Sequence, residues 1–183
     1  MNDASEWTIR SERPEDAPLV DALNRAAFGP GRFAKSAYRL REGVSLVGEL
    51  SFVAVENGTL RGSVRFWPVV IGERRALMLG PLAVETVQRG RGIGVALMER
   101  GIAEARAKGH EAMILVGDEP YYARVGFARV PPGRIRFPGP VDPSRILGLA
   151  LKPGAAFDFS GVVRRAQIDD PVCADGAPSS DLS

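Results

Sequence analysis

Residues 82–102 constrain this chain more than any other stretch. An apolar run, Leu82-Ala83-Val84, leads through Glu85 to Gln88 into Arg89-Gly90-Arg91-Gly92-Ile93-Gly94, and a helical pattern follows at once. Strand, glycine loop and helix in that order produce a helix N-terminus whose first amides have no intrahelical acceptor. Glycine at 90, 92 and 94 keeps side chains off the turn, so those amides stay reachable. Orphan N–H groups and the helix dipole together form an anion site, best suited to a phosphate or pyrophosphate. Arg89 and Arg91 add formal positive charge to the same loop. A phosphate-bearing ligand is the first expectation.

Two familiar glycine loops do not fit. A nucleoside-triphosphate loop needs Gly-Lys-Ser/Thr, and the chain holds no such triplet. A dinucleotide fingerprint needs G-x-G-x-x-G. Counted from Gly90 its third glycine falls on Val95, and counted from Gly92 it falls on Leu97.

What remains is Arg89-x-x-Gly92-x-Gly94 behind a strand containing Gly80-Pro81. This resembles motif A (Arg/Gln-x-x-Gly-x-Gly/Ala) of the GCN5-related N-acetyltransferases, the GNAT family, whose loop cradles the pyrophosphate of acyl-coenzyme A. A second segment, residues 112–127, is similar to the family's motif B: a buried strand, then a short helix with Tyr122 four residues ahead of Gly126-Phe127. The phrases at 79–84 and 117–122 resemble those of the YhbS-like predicted acetyltransferases. The likeness spans residues 7–165 and is strongest over 77–130.

The resemblance implies the GNAT fold: an α/β architecture with a mixed, mostly antiparallel sheet, a splayed central strand pair and helices on both faces. It implies an acyl-CoA-dependent N-acyltransferase, using acetyl-CoA, in which a primary amine attacks directly within a ternary complex. Two other readings stay open. One is a non-catalytic acyl-CoA-binding sensor or regulatory module; the other is an acyltransferase whose donor is an acyl carrier protein.

Pro81 cannot donate a ladder hydrogen bond and Gly80 tolerates unusual dihedrals, so a bulge is expected there. It would leave backbone groups of Leu82, Ala83 and Val84 unpaired. The resemblance makes that gap the seat of the pantetheine arm, with Arg89, Gly90, Arg91, Gly92, Ile93 and Gly94 around the pyrophosphate. A backbone N–H from the 82–84 segment is the candidate oxyanion donor. Tyr122 is the candidate acid, because a phenol with a reference pKa of about 10 can protonate a departing thiolate. Tyr121 beside it is expected to pack. The base stays open among Glu85, Asp118 and direct proton loss to solvent. Asp118 also holds the motif's position for a coenzyme contact, although the family commonly has Asn there and a longer interval before the tyrosine.

In this family the acceptor pocket lies between the first two helices and the later strands. Here that region offers Phe28, Arg32, Phe33, Lys35, Tyr38, Arg39 and Arg41, with Trp67 and Phe137 placed to close the cavity. Four cations against Glu42 hint at an anionic acceptor, such as an amino acid or acidic peptide. A small-molecule or protein amine is the expected acceptor.

Composition narrows the remaining classes. With 183 residues and 45% hydrophobic content, one domain over 1–166 suffices, followed by an acidic tail at 167–183 expected to be disordered. One cysteine, Cys173, excludes an internal disulfide, and with the single histidine, His110, it cannot build a metal site. No signal peptide or membrane-length apolar run is visible, so a cytoplasmic protein is expected. All 24 Lys and Arg precede residue 167, giving a basic body, but no run interleaves them with aromatics, so nucleic acid is not an expected partner. A homodimer is reasonable through an exposed strand edge, and the apolar final strand at 146–151 is the first candidate. Strands are expected at 6–11, 51–56, 60–71, 75–84, 113–116 and 127–130 as well. Helices are expected at 14–28, 35–41 and 93–108, a hairpin turn at Asn57-Gly58, and a helical turn at 153–157.

Overall fold

The computed structural model describes residues 6–30 and 36–166; the 167–183 tail and the acceptor candidates Arg32, Phe33 and Lys35 lie outside them. The chain runs β1 (Thr8–Ser11), α1 (Ala17–Phe28), α2 (Ser36–Arg39), β2 (Phe52–Glu56), β3 (Thr59–Ile71) and β4 (Arg74–Val84). It continues through α3 (Ile93–Ala107), β5 (Ala112–Val116), α4 (Glu119–Tyr122), β6 (Ala128–Arg129), β7 (Ile135–Arg136), β8 (Ile146–Ala150) and β9 (Gly161–Arg165). The strands lie in the order β1-β2-β3-β4-β5-β8-β6, all antiparallel except β4 with β5. β3 is long enough to pair with β2 through its first half and with β9 through Val69–Ile71.

Two turns follow directly from residue chemistry. Asn57 (φ 50) and Gly58 (φ 75) both take positive φ, as a two-residue hairpin requires, and join β2 to β3. Gly109 (φ +79) ends α3, and the His110 amide donates to the Ala105 carbonyl at 3.0 Å.

Strand alternation splits the core in two. Leu77 and Leu79 of β4, Val64 and Phe66 of β3, and Met113 and Leu115 of β5 face α3, meeting Ile93, Leu97, Met98 and Ile102. On the other face Met78, Val69, Ile71 and Ile114 meet Leu40, Ile146, Phe159 and Val163, with Trp67 packed against them. Gly101 of α3 lies flat on the Phe66 ring, where a β-carbon would collide.

The sheet opens where the sequence is irregular. Val64 faces Leu82 while Phe66 faces Leu79, so β4 carries one residue more than β3 across the Gly80-Pro81 step. The peptide bond at that step is cis. Parallel pairing of β4 with β5 is confined to Leu77↔Met113 and Met78↔Ile114. Beyond it β5 runs on to Val116 paired only with β8, and Gly117 leads into α4. The gap between β4 and β5 is the consequence.

Three expectations are corrected. The segment at 146–150 is not a final or edge strand: β8 pairs with β5 on one side and β6 on the other, so it offers no dimer edge. The last strand is β9, and no helical segment forms at 153–157. Residues 131–140, where Pro131, Pro132, Pro138 and Pro140 read as a loop, contain β7, which pairs in parallel with β9.

Candidate active site

The gap forms a cleft of about 330 Å³. One wall is Leu82, Ala83 and Val84 of β4. The end is the loop and start of α3, at Gln88, Arg89, Gly90, Gly92, Ile93, Gly94 and Val95. Tyr121, Tyr122 and Arg124 form the opposite wall, and Ala27 and Phe28 of α1 close the remaining side.

The β4 wall has a defined polarity. The Glu85 amide donates to the Arg61 carbonyl at 2.9 Å. Hydrogen bonding alternates along an antiparallel pair, so Ala83 turns its backbone groups to β3, whereas Leu82 and Val84 turn theirs into the gap. Unpaired strand backbone therefore faces the cleft.

The loop end is an anion cradle. Gly90 (φ +84) and Gly92 (φ +82) adopt left-handed conformations with open space where β-carbons would stand. Gly92 is the cap of α3, and no side chain caps its first turn. The first intrahelical bond runs from the Ala96 amide to the Gly92 carbonyl at 3.0 Å. The amides of Ile93, Gly94 and Val95 thus keep their donors for an anion. A β-carbon at Gly94 would overlap the Tyr121 hydroxyl, so this glycine is required for the approach of α4 to the helix start.

Tyr122 is held from three sides. Its ring lies against Gly117, edge-on to Tyr121 at 5.2 Å and to Phe127 at 6.2 Å between ring centroids. Burial, with Tyr121 and Asp118 adding to it, pushes its hydroxyl up to about 12. The Tyr121 hydroxyl is also raised by burial. Both phenols stay protonated at neutral pH.

Of the described acceptor candidates only Phe28 lines this cleft, and three residues named for catalysis or coenzyme binding do not. Arg91 turns away: its guanidinium donates to Glu56 at 2.8 Å and to Gln88. Glu85 accepts from Arg61 at 2.8 Å. The Asp118 carboxylate is 79% exposed and pairs with Arg145 at 3.2 Å. In each case an arginine–carboxylate ion pair, rather than the cleft, holds the side chain. Conversely, Tyr121, expected only to pack, lines the cleft together with Arg124, Gln88 and Phe28. Arg124 stands two residues after Tyr122, and its charge beside motif B is the one signal for it that the sequence carries. Among the described residues there is no cluster of three or more metal-ligating side chains and no helix long and apolar enough to cross a membrane.

A strand with unpaired backbone, a glycine cradle at a helix start and a buried tyrosine meet across one gap, the arrangement that the resemblance to the GNAT family implies. The acetyltransferase (GNAT) family model matches residues 17–129, and the chain belongs to that family. It is 37% identical over 122 residues to the uncharacterized N-acetyltransferase YhbS of Escherichia coli K12, spanning 65% of this chain and 72% of that one. The structure of E. coli YhbS in complex with CoA superposes with a TM-score of 0.75 at 31% identity, covering 91% of this chain and 93% of that one. A GNAT family acetyltransferase from Brucella melitensis in complex with acetyl-CoA gives 0.65 at 30% identity, covering 88% and 97%.

Proposed function

We propose that this protein transfers an acetyl group from acetyl-CoA to a primary amine, by direct attack within a ternary complex. The observation that carries the proposal is the convergence of the cradle, the cleft-facing backbone of Leu82 and Val84, and Tyr122 on one gap. The CoA and acetyl-CoA complexes of the two related proteins support the same donor. Working in the cytoplasm belongs to the same reading.

Acetyl-CoA supplies a thioester, whose carbonyl carbon accepts the amine and whose sulfur leaves. In this reading the amides of Ile93, Gly94 and Val95 bind the pyrophosphate, and Arg89 adds charge at the cleft wall. The Leu82 or Val84 amide donates to the oxygen on which negative charge develops. The Tyr122 hydroxyl, kept neutral by burial, donates its proton to the departing sulfur. Glu85 stays in its ion pair with Arg61, so the amine proton passes to water at the cleft mouth, and water returns a proton to the Tyr122 phenolate. The Asp118 carboxylate stays paired with Arg145, and only its backbone carbonyl, which accepts from the Tyr121 amide at 3.1 Å, meets α4.

The test is steady-state release of CoA from acetyl-CoA across a panel of primary amines, with wild type and Tyr122→Phe. The proposal expects amine-dependent release that falls in Tyr122→Phe while the acetyl-CoA KM is unchanged. Equal turnover in the two proteins removes Tyr122 from the mechanism. Acetyl-CoA binding with no amine-dependent release by any acceptor favours the sensor reading.

A further inference from the structure

Arg41 lies just beyond α2, at the apex of the gap. Its Nη2 stands 3.0 Å from where a β-carbon of Gly80 would be, so the guanidinium rests directly on the bulge that opens β4 from β5. Trp67 frames the same spot, donating from Nε1 to the Gly80 carbonyl at 2.8 Å, with the Arg41 guanidinium 5.9 Å from its ring centroid. Leu40 beside Arg41 is buried with Met78 and Trp67, which puts Arg41 on the sheet face opposite α3.

Arg41 is short of partners. Its Nε is buried and makes no hydrogen bond, and among the described residues no carboxylate pairs with it. The titratable groups that reach it are Tyr38 and a second cation, Arg65, whose own charge is taken by Glu12 at 2.5 Å and Asp21 at 3.1 Å. Burial pushes the guanidinium down to about 10, yet it remains charged at neutral pH. A partly buried cation without an anion is costly to keep. The same face holds two further orphans, Asn24 Oδ1 and Ser63 Oγ. Asn24 precedes Ala27 and Phe28, which line the cleft, by one helical turn, and Ser63 faces Ala83 in register.

We propose that Arg41 is the anion-recognition group of the acceptor site and that the acceptor is a primary amine bearing a carboxylate. The inference rests on the acetyl-transfer reading above. With the phosphate cradle at the α3 end of the gap, the thioester lies toward the apex at Gly80, and an acceptor reaches it from the face opposite α3. There its carboxylate meets the Arg41 fork, the geometry guanidinium groups match best. A carboxylate fits one fork better than a phosphate, which would draw several donors.

The experiment compares kcat/KM for the standard L-amino acids and their C-terminal amides, in wild type, Arg41→Lys and Arg41→Met, with the acetyl-CoA Kd measured on each. Wild type is expected to prefer the best acid over its amide by roughly 30-fold or more, the scale of losing one partner of a buried charge pair. Arg41→Met is expected to lose that preference with an unchanged acetyl-CoA Kd, and Arg41→Lys to keep part of it. With free CoA present, the same acid is expected to raise the Tm of wild type and not of Arg41→Met. Equal use of acid and amide by wild type, no acid used at all, or a preference that survives Arg41→Met overturns the proposal while leaving acetyl-CoA binding intact. Failure of wild type to bind acetyl-CoA overturns the acetyl-transfer reading and this inference with it.

Discussion

The carboxylate of Glu56, at the end of β2, accepts a hydrogen bond from Arg91 Nη2 at 2.8 Å across 35 residues of sequence. Arg61 Nε approaches the other oxygen at 3.2 Å, and the Glu56 side chain is only 5% exposed. This pair ties the glycine loop to the β2–β3 hairpin, so the cradle is held from behind by an arginine that does not face its ligand. Arg61 also bonds Glu85, which extends the tie to the end of β4.

Glu56→Gln is therefore expected to act on the loop rather than on the chemistry. Because Arg91 is 35% exposed, we scale the loss below that of a fully buried pair, to about 2 kcal/mol of stability. Acetyl-CoA KM should rise while kcat changes little. Calorimetric unfolding and steady-state kinetics check the two halves; a kcat loss with unchanged KM contradicts the assignment.

Gly94→Ala tests the contact between α3 and α4. Alanine favours a helix over glycine by about 1 kcal/mol, but its β-carbon would overlap the Tyr121 hydroxyl. Overpacking of this kind costs about 1–3 kcal/mol, so net destabilisation and weaker acetyl-CoA binding are expected. Gly94→Ala combined with Tyr121→Phe removes the overlapping oxygen and should recover the stability. A double mutant no better than the single one contradicts this explanation.

The raised Tyr122 value sets a pH expectation. With its hydroxyl at about 12 in the folded protein, the phenol keeps its proton throughout the neutral and mildly alkaline range. No loss of kcat from Tyr122 ionisation is expected below a pH of about 11. A falling limb near a pH of about 10 that disappears in Tyr122→Phe contradicts this.

Asp16 carries an acid-stability expectation. The Arg10 guanidinium at 2.6 Å and the Arg13 amide at 2.8 Å hold its carboxyl down to about 2. A carboxyl depressed in the folded state stabilises fully above its unfolded value of about 4, and that contribution is lost as pH falls through about 2. Asp16→Asn should cost about 2 kcal/mol at neutral pH, a gap that closes in strong acid. Urea unfolding of both proteins at several pH values checks it; a pH-independent difference contradicts it.

Features written in contiguous residues are legible in the sequence itself. Gly80-Pro81 marks the bulge, Gly90 to Gly94 the cradle, and Tyr122 with Gly126 the wall opposite, because each depends on local backbone chemistry. What long-range pairing decides is not legible in that way. Arg91 and Glu85 read locally as loop cation and free carboxylate, and only the fold brings Glu56 and Arg61 to them. The segment at 146–150 looks terminal because β9 is short and carries two arginines at its end, so its apolar pattern is weak. β7 is two residues within a proline-dense loop and has no periodicity to read.

The most direct test of the central claim is calorimetric titration of the protein with acetyl-CoA, repeated on Gly92→Asp. Aspartate there would set a negative charge and a strained positive φ at the cap of α3. Saturable binding to wild type, lost in a folded Gly92→Asp variant, is the predicted result. Binding that survives Gly92→Asp, or no binding to folded wild type, contradicts the placement of the coenzyme in this cleft.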